Sequence, residues 1–274
     1  MSRARAIQFY GVPCHRDLAR GLTVLYPWTQ DRGTRVVNHG AKDRSTAYNG
    51  TLVGTPNIIG TGIGVPAFSN DGSVRYVSLA QPSVDSEGTI ACWASPQGTH
   101  VGTGIVFGSY GGTGNRRSPS MYFNGTSSGN ILWDFGADIT NSTGIAWTLR
   151  QWYHLCIVWH EADNYIRAYV DGILRDSAAW SDPGGALNTV EHLGHYNGFG
   201  TNYLNGWIGP YTVWSRALSH AEVWRQYAPA TRWELFGRPR RRAGRAPDAP
   251  PVGGHAGPLV NAWPLKSKLK GLAA

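Results

Sequence analysis

Residues 151–172, QWYHLCIVWHEADNYIRAYVDG, constrain the fold more than any other stretch of the chain. Trp152 to His160 is apolar or aromatic at nearly every position, and a polar turn follows it. From Tyr165 to Asp171 the pattern alternates, with Ile166, Ala168 and Val170 on one face and Tyr165, Arg167, Tyr169 and Asp171 on the other. Successive side chains of a strand point to opposite faces, so this alternation marks a half-buried strand. Asp171-Gly172 supplies the positive φ angles of a tight hairpin turn. The chain is expected to be built from long antiparallel strands.

The rest of the sequence supports that reading. Twelve Trp, thirteen Tyr and 36 Gly favour strands and turns over helices. Strands are expected at 22–27, 51–54, 74–79, 88–95, 104–109, 119–124, 130–136, 151–160, 164–171, 189–195 and 204–215. Turn chemistry separates them: Asn70-Asp71-Gly72, Gly111-Gly112-Thr113-Gly114, Asn124-Gly125 and Asp182-Pro183-Gly184-Gly185. Many strands without intervening helical periods argue for an antiparallel sandwich or barrel. One helix is expected at 219–227, where Ser219 and Glu222 form a capping-box pattern and Val223, Trp224 and Tyr227 share one side. The three cysteines, Cys14, Cys92 and Cys156, read as buried reduced thiols.

Three regions are expected: an N-terminal arm over 1–21, a body over 22–228, and a tail over 229–274. Residues 228–274 hold nine Lys and Arg against Glu234 and Asp248, and so carry +7 of the formal net charge of +8. The body is nearly neutral, which excludes reading it as a nucleic-acid binder from charge. The tail is rich in Pro, Gly and Arg and forms no conventional core. Its last residues, NAWPLKSKLKGLAA, regain apolar side chains. No run of about eighteen apolar residues is present, so no transmembrane helix is expected. The opening MSRARAIQFYGVPCHRDLAR lacks the continuous apolar run of a secretory signal peptide.

Four segments, in order, resemble the laminin G-like, concanavalin A-like jelly-roll superfamily. They are GLTVLYPWTQDRGTRVVNHGAKDRSTAYNGTLVG (21–54), GTIACWA (88–94), the hairpin at 152–172 with its Trp-x-His and Tyr-Val-Asp-Gly, and the closing strand with SRALS inside 204–222. The resemblance implies an all-β antiparallel jelly-roll β-sandwich with one short helix near the end and extended arms. Members often carry acids in the closing strand, where Ile208-Gly209-Pro210-Tyr211-Thr212-Val213 has none. Asn38-His39-Gly40 stands where many members have Asp and Ser. Both departures remove carboxylates that hold Ca²⁺ in the family, so no calcium site and no other cofactor is expected.

The superfamily includes β-glucanases, which need two carboxylates on one strand face. The nearest match, Glu161-Ala162-Asp163-Asn164-Tyr165-Ile166, lacks its last Glu and falls in a hairpin turn, so no enzyme is expected. In Glu191-His192-Leu193-Gly194-His195 a continuous strand places Glu191 and His195 on one face and His192 on the other, which does not gather three metal ligands. Loop 194–206 packs Tyr196, Asn197, Phe199, Asn202 and Tyr203 together. Aromatic faces and amides are what sugar rings use, and these five are the glycan-contact candidates.

Arg238, Arg240, Arg241, Arg242 and Arg245, with Trp263, Leu265 and Leu269, are the candidates for anchoring a protein partner. No aromatics interleave with the Arg residues, so specific nucleic-acid stacking is not expected. The apolar character of both faces of Trp152–His160 points to a cover on each. Together these features read as a virion structural protein: a capsid decoration or head/tail appendage made in the host cytoplasm. Its expected partners are the major capsid protein or a portal or tail component, further copies of itself, and a cell-surface glycan, with no membrane. The alternatives are a free carbohydrate-binding lectin module and a glycoside hydrolase.

Overall fold

The computed structural model describes residues 16–28, 35–40, 48–54, 57–60, 66–80, 86–100, 102–108, 119–135, 140–180, 190–195, 202–232 and 235. The strands are β1 (Leu22–Tyr26), β2 (Arg35–Val36), β3 (Gly50–Val53), β4 (Asn57–Gly60), β5 (Pro66–Asp71), β6 (Tyr76–Ala80), β7 (Glu87–Pro96) and β8 (Gly104–Gly108). They continue with β9 (Ser120–Phe123), β10 (Gly129–Asp134), β11 (Thr140–Trp147), β12 (Tyr153–His160), β13 (Tyr165–Val170), β14 (Ile173–Ala178), β15 (Val190–Leu193) and β16 (Asn205–Trp214). Two short helices, α1 (Arg16–Ala19) and α2 (His220–Tyr227), flank them.

Two antiparallel eight-stranded sheets form a jelly-roll sandwich. The first runs β14-β13-β12-β7-β16-β5-β4, and the second β11-β10-β9-β8-β15-β6-β3-β2. β7 takes one edge of β16. β5 and β1 share the other, β5 against Asn205–Ile208 and β1 against Tyr211–Trp214. The register shifts between Ile208 and Tyr211. Pro210 falls in that interval, and a residue without an N–H is tolerated in a sheet at such a bulge.

The core lies between the sheets. Phe68, Ile90, Leu155, Ile157, Trp159 and Ile208 enter it from the first sheet, and Val77, Phe107, Met121, Phe123, Ile131, Trp133 and Leu193 from the second. Packing is tight enough to dictate Gly88, where an added Cβ would stand 2.1 Å from Trp159 Cζ2.

The expected hairpin forms as read. Asp171 and Gly172 have φ of 55° and 73°. The Asp171 carboxylate accepts from the His154 N–H at 2.9 Å, and its own N–H donates to the His154 carbonyl at 2.8 Å. The capping box also forms: Ser219 Oγ accepts from Glu222 N, while Glu222 Oε2 accepts from Ser219 N at 2.8 Å. Cys92 and Cys156 are buried free thiols, and Cys14 lies outside the described residues.

β12 is covered on both faces, but the cover comes from the chain itself. Cys156 and Val158 pack with Leu18, Leu22, Tyr169, Trp214, Leu218, Val223 and Leu235. An eight-residue helix such as α2 is marginal alone, and this apolar contact holds it. The outer face of β12 therefore gives no reason to invoke a neighbouring subunit. β2, β4, β5, β11, β14 and α1 were not expected from the sequence. β11, TNSTGIAW, is too polar to read as a strand, and its pairing with β10 decides its state. The Gly111–Gly114 and Asp182–Gly185 turns lie outside the described residues.

Candidate functional site

Strand parity in the second sheet sends the core residues inward and a second set outward. That outer set includes Tyr76 and Ser78 on β6, His192 on β15, Ser120 and Tyr122 on β9, and Asp134 on β10. Register aligns several of them in one row across five strands. Ser78 faces His192, His192 faces Gly108, and Ser120 faces Asp134. Gly108 brings β8 against β9 so closely that an added Cβ would stand 2.4 Å from Ser120 Cβ. Tyr122 Oη donates to Asp134 Oδ1 at 3.2 Å.

Glu191 and His192 part as alternate strand residues must. Gly194, at φ 85°, then ends the strand and turns His195 back toward His192 instead of leaving it on the Glu191 side. The Nδ1 atoms of His192 and His195 lie 3.2 Å apart, so one ring donates and the other accepts. Burial, reinforced by His195, pushes His192 down to about 4, which keeps the pair from carrying two protons near neutrality. The Tyr76 ring lies 4.5 Å from His192 and 4.8 Å from His195. Tyr203 stacks on His195 at 4.3 Å and 13°. Asn202 adjoins Gly102, whose added Cβ would meet Asn202 Oδ1 at 2.7 Å.

The expected glycan contacts thus divide. Tyr203 borders this face and Asn202 stands beside Gly102, before the start of β8, while Tyr196, Asn197 and Phe199 lie outside the described residues. Arg238, Arg240, Arg241, Arg242, Arg245, Trp263, Leu265 and Leu269 lie outside them as well. Tyr76, Ser120, Tyr122 and Asp134 were missed by sequence reasoning. Their signal was the out-of-phase position beside inward aromatics, as in Ser120-Met121-Tyr122-Phe123 and Trp133-Asp134.

Chemically, the face carries hydroxyls, an imidazole pair, aromatic rings and a carboxylate; Ser120, Tyr122, Asp134, His192 and His195 are buried, and Tyr76, Ser78 and Tyr203 are partly exposed. By strand parity, Asp134 is its one carboxylate among the described residues. Glu191 points the other way, fully buried, accepting from Tyr211 Oη at 2.6 Å. Burial pushes its carboxyl up to about 8, so it is a neutral acid within the core near pH 7. Glu161 and Asp163 stand exposed in the β12–β13 turn. Asn38 is occupied with backbone: its Oδ1 accepts from Leu25 N and Gly40 N, and its Nδ2 donates to the Thr23 carbonyl.

Comparison with curated protein sequences finds no match. Among solved structures, domain 4 of an extracellular arabinanase from Geobacillus stearothermophilus, in complex with arabinotriose, is 19% identical with a TM-score of 0.57, covering 76% of this chain and 98% of that one. A Trypanosoma rangeli sialidase in complex with the inhibitor DANA is 13% identical, with a TM-score of 0.56 over 75% of this chain and 32% of that one. The receptor binding domain of botulinum neurotoxin D is 14% identical, with a TM-score of 0.55 over 77% of this chain and 53% of that one. The chain thus spans about half of the neurotoxin domain and a third of the sialidase. At these identities the likeness is one of fold. A family model of laminin G type, described as the concanavalin A-like lectin/glucanases superfamily, matches residues 71–224, more than half of the chain. On that match, the chain belongs to the concanavalin A-like lectin/glucanases superfamily.

Proposed function

We propose that this domain is a lectin-like carbohydrate-binding module that recognises glycans without hydrolysing them. The observation that carries this reading is the row on the outer face of the second sheet. Ser78, His192, Ser120 and Asp134 line up across it, flanked by the rings of Tyr76 and Tyr203. Hydroxyls, imidazole and carboxylate exchange hydrogen bonds with sugar hydroxyls, and aromatic rings take the apolar face of a sugar ring. Hydrolysis by the usual route needs a second carboxylate about 5–9 Å from the first. Asp134 has no such companion on this face among the described residues.

The test is a glycan array followed by calorimetry on the intact chain. Wild type is expected to bind a subset of glycans and to release no reducing sugar from them. Tyr76→Ala and Asp134→Asn should each weaken binding about tenfold, the equivalent of about 1.4 kcal/mol. An array without hits, or turnover of a bound glycan, overturns the reading.

The virion role rests on the composition of the tail. Neither the fold nor the comparisons point to one, and the cover on β12 removes one argument for it. Truncation after Leu235, which is itself buried, separates the two ideas. Glycan binding should survive it, whereas a particle-anchored protein would lose co-sedimentation with its particle.

A further inference from the structure

The outer face of the first sheet is covered unevenly. From Trp93 onward toward Trp214 it lies beneath α2 and the residues that follow it. Trp93 is 6% exposed, stacked on Tyr227 at 6.0 Å and 17°. One row further along, the cover ends among the described residues. There Trp207 on β16 stands between Ser95 on β7 and Ser69 on β5. Trp152 immediately precedes Tyr153, which pairs with Ala94, so it flanks Ser95 on the other side. The row reads Trp152, Ser95, Trp207, Ser69: two large rings alternating with two small hydroxyl side chains.

Trp152 and Trp207 are both partly buried, with ring centroids 6.1 Å apart and planes inclined at 38°. Their floor is kept flat by Gly209, where an added Cβ would come 2.9 Å from Trp93 Cβ and 3.4 Å from Trp152 Cζ3. Gln97 brings an amide to the edge. Its Nε2 donates to Ser95 Oγ at 2.8 Å and its backbone N–H to the Asn205 carbonyl at 2.8 Å, so it is held in place.

We infer that Trp152 and Trp207 form a second carbohydrate platform, which takes two consecutive rings of a neutral linear oligosaccharide. Indoles left in water are unfavourable, and the C–H face of a sugar ring covers them while its hydroxyls stay at the rim. Two inclined rings suit successive sugars, each turned relative to the last. Ser69 and Gln97 supply donors and acceptors that a sugar satisfies and that an apolar protein contact would leave unpaired, while the buried Ser95 accepts from Gln97 and holds it in place. The row carries no charged side chain, which sets the ligand class as neutral. This goes beyond the site on the second sheet and shares no residue with it.

The experiment titrates the intact protein with cellotetraose, a β-1,4-galactan tetrasaccharide and arabinotriose, following Trp indole N–H resonances by NMR and heat by calorimetry. At least one probe should shift the Trp152 and Trp207 resonances saturably. Trp152→Ala and Trp207→Ala should each lower that affinity at least tenfold, and Tyr76→Ala should leave it unchanged. Gln97→Ala, which leaves both indoles in place, should weaken it several-fold and covers the case in which a Trp variant does not fold. Unmoved indole resonances with all three probes overturn the inference. So does equal binding by Trp variants that melt like wild type. A concentration-dependent dimer abolished by Trp207→Ala would assign the platform to a second copy of the chain and overturn it too.

Discussion

The outer face of the first sheet carries Ala91, Cys156, Val158 and Trp214, whereas that of the second carries Tyr76, Ser120, Asp134 and His192. Both are faces of twisted antiparallel sheets packed on the same core. The first is apolar because the chain lays its own helix and Leu18, Leu218 and Leu235 across it. The second lacks a helical cover among the described residues, and its side chains instead satisfy one another, as Tyr122 does Asp134 and His192 does His195. A burial figure alone does not separate the two: Val158 is 0% exposed and His192 only 6%. Chemical character does. Around Ala91, Cys156, Val158 and Trp214 the first face is a packing surface, and the second keeps groups that hydrogen-bond to one another.

Removing a large side chain from the covered face gives the largest effect. Trp214 is 1% exposed and donates its indole N–H to the Leu18 carbonyl at 2.7 Å. Trp214→Ala should cost about 3–5 kcal/mol in urea unfolding and leave glycan affinity of the folded fraction unchanged. A matching loss of affinity would show that the two faces are not independent.

Glu191, inside the sandwich between them, should respond to pH. The folded chain holds its proton up to about pH 8 against a free value of 4.5, so the unfolded chain releases it first. Its contribution is complete below 4.5 and falls as pH rises toward 8. Asp171, pushed by burial to about 6, acts in the same sense. His100, His154 and His192, held by burial at about 4, 3 and 4, oppose them as pH falls below 6.5. Glu191→Gln should flatten the alkaline limb of melting temperature against pH and leave the acid limb in place. An unchanged alkaline limb would show that Glu191 does not set it.

The smallest effect is at the cap of α2. Ser219→Ala removes the oxygen that accepts from Glu222 N and should cost about 1 kcal/mol by the same unfolding measurement. The cover would loosen at one end without exposing β12.

Legibility in the sequence followed the strength of local signals. Period-two alternation, Asp171-Gly172 and the Ser219–Glu222 box each specify a conformation within a few residues, and each formed. β14, ILRDSA, and β11 carry no such pattern, and long-range pairing made them strands. The candidate face was harder still. Its residues come from β6, β9, β10 and β15, and only the sheet order brings them side by side. His192 and His195 met against expectation because one glycine, Gly194, reset the parity of the strand.

β1 closes against β16, and Leu22 pairs with Trp214 at the end of that ladder. The Ser215 N–H donates to the Gly21 carbonyl at 2.8 Å just beyond it. The backbone thus enters and leaves the sandwich at adjacent points. Tension between its two flanks would first strip Leu18 and the α2 cover from Trp214 and then open this ladder rung by rung like a zip, from one corner of the first sheet.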